Sequence, residues 1–257
     1  MPKQRRIYVG NHPKPVRGAA YHTKRVQKKI AENKEEFAKK NYDNLTREKG
    51  IGRLPWIKHR GYDRYNVFFK KVIKIDLVDL AKKIPREKNQ SLEILDEGAG
   101  EGNFLSEIKF KLAEEGIKSN TTAISLRPNK DLTQKRIIES VNSVYLGQAE
   151  NYFPKKKYDL IFSLYGSIHY TPNFLKKDHL LKYAHSLKKS GAMLIGFDFY
   201  DQLGSRFQLK EIEKGFAKRG FQAKLVNANP PSGLMLPKYI LFVRRTNKPI
   251  TKKGNRK

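Results

Sequence analysis

The sequence predicts an α/β protein: a doubly wound, mostly parallel seven-stranded sheet with an antiparallel last strand, preceded by a basic, largely helical N-terminal extension. Three observations predict it. From about Leu92, short apolar runs alternate with helical segments, the pattern of a parallel sheet covered on both faces. Gly98, Gly100 and Gly102 directly follow the first of those runs. Near the C-terminus two apolar runs flank a turn-rich segment and read as adjacent antiparallel strands that close the sheet.

In chain order, residues 1–22 carry Pro2, Gly10, Pro13, Pro15 and Gly18 and read as irregular. From Lys24 to about Tyr42, Val26, Ile30 and Phe37 recur near helical spacing among many charges, a thin amphipathic helix that must dock to persist. Residues 50–61 read as a loop around the single tryptophan, Trp56. A helix is expected over 67–83, burying Phe68, Val72, Ile75, Leu77, Leu80 and Ala81 and stopped by Pro85. "LEILDE" is the first strand, followed by a helix over 103–115 with Phe104, Leu105, Ile108 and Leu112 on one face. "TTAISL" is the second strand and 131–141 the next helix. "SVYLG", "YDLIFSLY" and "AMLIGFDF" follow as strands, with "HLLKYAHSL" helical between the last two. A helix near 208–219 precedes "FQAKLVNA" and "KYILFVRRT", the closing pair. This divides the chain into an extension (1–84), an α/β domain (85–246) and a basic tail (247–257).

Composition narrows the partners. Fifty-four Lys and Arg against 25 Asp and Glu leave a formal net charge of +29, which favours polyanions, with nucleic acid (RNA more than DNA) ahead of anionic membranes. Residues 1–29 and 244–257 contain no acid at all, the form of a polyanion-binding tail. The absence of cysteine excludes disulfides, thiolate metal ligands and cysteine nucleophiles. No run approaches the ~20 apolar residues of a membrane span, and "MPKQRRIYVG" lacks the apolar core of a secretory signal. A cytoplasmic protein is expected, with export by a signal-less route left open. No metal site is expected, and the oligomeric state is left open.

The glycine loop of "ILDEGAGEG" lies at the carboxyl end of the first strand, where doubly wound folds bind ligands. Without Cβ atoms, the loop turns sharply and admits a ligand against the backbone. The helix that follows offers free N–H groups. Asp96, Glu97 and Glu101 surround the loop. These acids suit a ligand bearing positive charge, an α-ammonium or a sulfonium, better than a phosphate. A phosphate-binding Gly-x-x-x-x-Gly-Lys-Ser/Thr pattern is absent.

"ILDEGAGEG" resembles motif I of class I (Rossmann-like) S-adenosylmethionine-dependent methyltransferases, and the resemblance extends over about residues 90–245. "YLGQAENYFP" resembles the family's third-strand segment, "YDLIFSLYGSIHYTPN" its fourth, and "HSLKKSGAMLI" its approach to the fifth, all in order. The resemblance implies S-adenosyl-L-methionine as cofactor. It implies that Asp96, Gly98, Ala99 and Gly100 line the methionine half, that Glu97 and Gly102 of the same loop also belong to the cofactor site, that Gln148 and Ala149 face the adenine, and that Ser163 lies beside the sulfonium. Two positions depart from the family. Ser125 stands where an acid holds the ribose hydroxyls, and Gln148 where an aspartate faces the adenine.

Methyl transfer is an in-line displacement governed by positioning. His169, with Tyr165, is the candidate catalytic pair: a base with an ordinary pKa near neutrality and an aromatic roof. Tyr170 is a second possible roof. Ring-carbon methylation through a cysteine adduct is excluded. "NPPS" at 229–232 falls too late in the chain for the exocyclic-amine motif, and the fourth strand lacks the acid of a ribose 2′-O tetrad. The leading expectation is a methyltransferase acting on nucleic acid or a nucleic-acid-associated substrate, with Trp56, Tyr62 and Tyr65 helping to hold the polyanion. The alternatives are a small-molecule or protein methyltransferase with incidental charge, and a non-catalytic nucleic-acid-binding protein on the same fold.

Overall fold

A computed structural model describes residues 61–100, 102–125, 141–146, 149, 152–164, 166, 168, 173–198, 202–228 and 237–245. The expected elements at 1–60, the helix over 131–141, the 229–236 turn and the C-terminal tail lie outside the described residues. So do Glu101, Gln148, Tyr165, His169 and Tyr170.

Seven strands form one sheet: β1 (Leu92–Glu97), β2 (Ser119–Ser125), β3 (Ser143–Leu146), β4 (Tyr158–Leu164), β5 (Leu187–Phe197), β6 (Phe221–Asn227) and β7 (Tyr239–Arg245). Their order is β3-β2-β1-β4-β5-β7-β6. The first five are parallel, and β7 runs antiparallel to both β5 and β6. The two C-terminal strands pair as expected, but β7 slots between β5 and β6 and leaves β6 at the edge. Burial accompanies the choice: Ile240, Leu241 and Val243 of β7 are buried, whereas in β6 Phe221 alone is buried and the other residues are half-buried or exposed.

Helices α1 (Tyr62–Ile73), α2 (Leu77–Lys82) and α3 (Asn103–Glu114) share one core with Leu92, Ile94, Leu160 and Phe162 on one sheet face. On the other face Leu95, Ile161, Met193 and Ile195 pack with Leu180 and Tyr183 of α4 (Asn173–His185) and with Ile212 and Phe216 of α5 (Gln202–Ala217). Ile94 and Leu95 are neighbours on β1, so side-chain alternation along a strand sends them into different cores. All seven residues of central β4 are buried. Phe104, Leu105, Ile108 and Leu112 form the buried stripe of α3, as their spacing predicts.

The single helix expected over 67–83 is instead two. Lys74 adopts a left-handed conformation (φ 59°) and closes α1. Asp76 then caps α2, its carboxylate accepting from Val78 N–H at 3.0 Å and Asp79 N–H at 3.3 Å. Asn66 Oδ1 accepts from Leu77 N–H at 2.8 Å, tying the second helix back to the first. Apolar periodicity runs through the break because both helices face the same core, which hides the break from a pattern count.

The fifth strand begins at Leu187 rather than near Ala192. Leu187 pairs with Tyr158 before a register shift, and Ser190 at φ 66° takes up the irregularity.

Candidate cofactor and catalytic site

The carboxyl ends of β1 and β4 lie side by side, with Asp96 paired to Phe162. Beyond Glu97 the backbone passes through Gly98 (φ 81°), Gly100 (φ 56°) and Gly102 (φ 81°), the last being the N-cap of α3. The N–H groups of Gly98 and Ala99 both donate to the Ile124 carbonyl at 2.9 Å. A Cβ on Gly98 would collide with Gly166 Cα, and one on Gly166 with Glu97 and Ser163 Oγ. Glycine is therefore required at both ends of this crevice for close approach of two backbones, a condition the sequence pattern showed at only one end.

Two carboxylates sit beneath the loop on opposite sheet faces. Asp96 is 0% exposed and accepts from the Tyr65 hydroxyl, at 3.2 Å to Oδ1 and 3.4 Å to Oδ2. Glu97, also 0% exposed, accepts from Ser163 Oγ at 2.7 Å. Ser163 is thus placed at the end of β4, against an acid of the glycine motif. Buried carboxylates need such donors, because charge in a poorly solvated site is otherwise costly.

Tyr65 corrects one expectation. It and Tyr62 are buried, at 0% and 5% exposed, so neither offers a free face to a polyanion. The Tyr65 ring stacks on Phe104 (4.0 Å between centroids, 9° between planes), and Phe104 meets Phe162 edge-on at 5.1 Å. Tyr62 N–H donates to Glu107 Oε2 at 2.5 Å, so a carboxylate of α3 caps α1. Trp56, the third member of that group, lies outside the described residues.

Ser125 ends β2, and its hydroxyl donates to the Gly100 carbonyl at 3.0 Å. It pins the glycine loop. Ala149 is buried, and its carbonyl accepts from Lys182 Nζ at 2.8 Å and the Tyr183 hydroxyl at 3.3 Å, both on α4. Sequence reasoning did not single out Tyr65 in this role, nor Lys182, Tyr183 or Gly166. Only the helical phase of Tyr65 with Phe68 and Phe69 hinted that it faces inward. At the far end of β4, Asp159 accepts from Glu93 N–H and Lys188 Nζ, both at 2.8 Å, and joins β4 to β1 and β5.

No protein-family model matches the sequence, and no curated protein does. Among solved structures, the chain is similar to the plantazolicin methyltransferase BamL in complex with a triazolic desmethylPZN analog and SAH. Identity is 12%, the TM-score is 0.53, and the match covers 85% of this chain and 98% of that one. A putative class I S-adenosylmethionine-dependent methyltransferase from Listeria monocytogenes matches at 14% identity and a TM-score of 0.49, covering 87% and 71%. An amino pentose methyltransferase from Micromonospora echinaspora, solved with SAM bound, matches at 9% and 0.47, covering 74% and 94%. The first of these likenesses gives the chain the fold of class I methyltransferases, as its four segments imply. The strand order, the glycine loop at the carboxyl edge and the antiparallel β7 carry the same fold assignment.

Proposed function

We propose that this protein is an S-adenosylmethionine-dependent methyltransferase whose acceptor is a nucleic acid or a nucleic-acid-associated molecule. One observation carries the cofactor reading: two buried carboxylates, Asp96 and Glu97, lie directly under a left-handed glycine loop at the carboxyl edge of the sheet. Such a cradle fits a donor with a cationic head. Gly98, Ala99 and Gly100 would hold the methionine half, and Asp96, oriented by Tyr65, would present negative charge to it. Ala149, with its carbonyl held by Lys182 and Tyr183, would face the adenine beside Gln148. S-adenosylmethionine supplies a methyl group activated on a sulfonium. The chain supplies alignment and, through His169 with Tyr165, a place for any proton the acceptor must lose.

The acceptor reading rests on charge. A formal net charge of +29 is far beyond what solubility asks of a domain of this size. Titration calorimetry with S-adenosylmethionine tests the cofactor: micromolar binding supports the proposal, and no heat at millimolar donor ends the enzyme reading. Labelled-methyl transfer into separated RNA, DNA, protein and small-molecule pools then tests the acceptor. Label in the small-molecule pool alone would replace nucleic acid with the second reading.

A further inference from the structure

In this fold every parallel strand starts at one edge of the sheet, and antiparallel β7 ends there. That edge lies about 20 Å from the glycine loop, the length of a six-residue strand. The sequence loads it with cations. Arg86 and Lys88 precede β1, and Lys118 precedes β2. Lys155, Lys156 and Lys157 precede β4, and Lys188 and Lys189 open β5. Arg219 precedes β6, while Arg244 and Arg245 end β7. Six neighbouring strands in the order β2-β1-β4-β5-β7-β6 therefore carry basic side chains at the same end. At the usual spacing between strands this row is about 24 Å long.

The acids at this edge do not balance the row. Glu93 is paired with Lys156 at 2.5 Å, Asp159 with Lys188 at 2.8 Å and Glu115 with Lys82 at 2.8 Å. Each of these acids is matched by one lysine; Glu114, next to Glu115, is exposed, and Glu87 is the carboxylate among the residues that line the cleft where the edge folds inward. There Lys82, Arg86, Lys88 and Lys118 line an open cleft of about 570 Å³. The positive field reaches the C-terminus of α4, where His185 is held below its ordinary pKa by burial and then by Arg219, Arg245 and Lys157. The chain also leaves the sheet here, at Arg245, and the acid-free stretch to Lys257 continues from it.

We propose that the amino edge of the sheet is a docking surface for the phosphodiester backbone of a polynucleotide, distinct from the methyl-transfer crevice at the opposite edge. This deepens, and rests on, the nucleic-acid part of the function proposed above. A narrow row of cations with a concave cleft fits a linear polyanion, whereas a flat bilayer of anionic headgroups would not enter the cleft. The separation has a consequence: a compact acceptor cannot reach both edges, so the edge anchors a polymer while another part of it, or a molecule bound to it, meets the donor.

The test compares two double charge reversals with the same change in net charge, in the full-length protein. Arg86→Glu with Lys118→Glu alters the edge; Lys71→Glu with Lys210→Glu alters exposed lysines elsewhere. Fluorescence anisotropy with labelled 20-mer RNA and DNA across a salt series reads affinity. The edge variant is expected to lose at least tenfold in affinity, and its log–log salt slope to fall by about 1.4 for single strands. The control is expected to lose less than threefold. Equal losses in both variants, or no loss in the edge variant, overturn the proposal. So does loss of binding to phosphatidylserine vesicles with polynucleotide binding retained. Circular dichroism melts establish that both variants fold, and donor calorimetry runs in parallel. Unchanged donor binding with lost RNA binding supports the docking surface. Absent donor binding in the parent protein would remove the enzyme reading and leave the docking result standing.

Discussion

The Tyr65 hydroxyl lies 3.2 Å and 3.4 Å from the two carboxylate oxygens of Asp96, joining α1 to the end of β1 across 31 positions of sequence. Both residues are fully buried, and the ring stacks on Phe104 at the start of α3. Helix α1 is thereby coupled to the acid beneath the glycine loop. Tyr65→Phe keeps the stack and removes the donor, so the carboxylate loses a partner in a poorly solvated site. Urea denaturation is expected to show a loss of about 1–3 kcal/mol, and calorimetry a weaker donor affinity. Unchanged donor binding with lowered stability would confine Tyr65 to the scaffold.

Gly98 combines a left-handed backbone with contact to Gly166. Alanine there is expected to cost about 1–2 kcal/mol for conformation alone, and to displace the crevice enough to lower donor affinity at least tenfold. Gly220 is the matched control: it is also left-handed (φ 78°), with open space where a Cβ would sit. Gly220→Ala is expected to show the conformational loss alone, with donor binding intact.

Asp76 holds the junction of α1 and α2. Burial alone would raise its pKa, but hydrogen bonds from Asn66, Asp79 N–H, Lys70 and Val78 N–H outweigh it and hold the carboxyl below 3.8. With the folded value depressed, its stabilisation is present above the unfolded pKa and lost as pH falls through the folded one. Asp76→Ala is expected to lower stability at neutral pH by about 1 kcal/mol, while Asp76→Asn retains most of the cap. Denaturation midpoints at pH 7 compare them.

His185 gives a second pH effect, in a window nearer neutrality. Burial first, and then Arg219, Arg245 and Lys157, hold its pKa below 6.5. The unfolded chain therefore binds this proton more readily than the fold does, so the contribution is complete above 6.5 and lost as pH falls. The melting temperature is expected to drop between pH 7 and 5, and His185→Gln to flatten that drop. An identical slope in the variant would place the effect on other groups.

Much of the architecture was legible because its causes are local. Alternating apolar runs mark β1, β2, β4 and β7, and the stripe Phe104, Leu105, Ile108, Leu112 marks α3. The glycine loop was legible because left-handed φ values demand glycine at each position. Sequence alone marks Ser125 as a departure at the ribose, and its bond to the Gly100 carbonyl, 25 residues away, has no signal in sequence spacing. Tyr62 and Tyr65 are expected to help hold a polyanion, a role that needs exposed rings. Their burial follows from the docking of α1 on α3, a tertiary event.

By itself, the sequence determined the strand and helix alternation, the position of the glycine loop and the excess of positive charge. These depend on side-chain periodicity, backbone conformation and composition, all properties of the chain. Tertiary structure alone decided that β7 enters between β5 and β6, that Gly166 must face Gly98, and that Tyr65 serves Asp96. It also decided where the charge collects, since only the parallel sheet brings the residues before β1, β2, β4 and β6 to one edge. Contacts between distant segments are set by which surfaces bury together, and no local pattern encodes that choice.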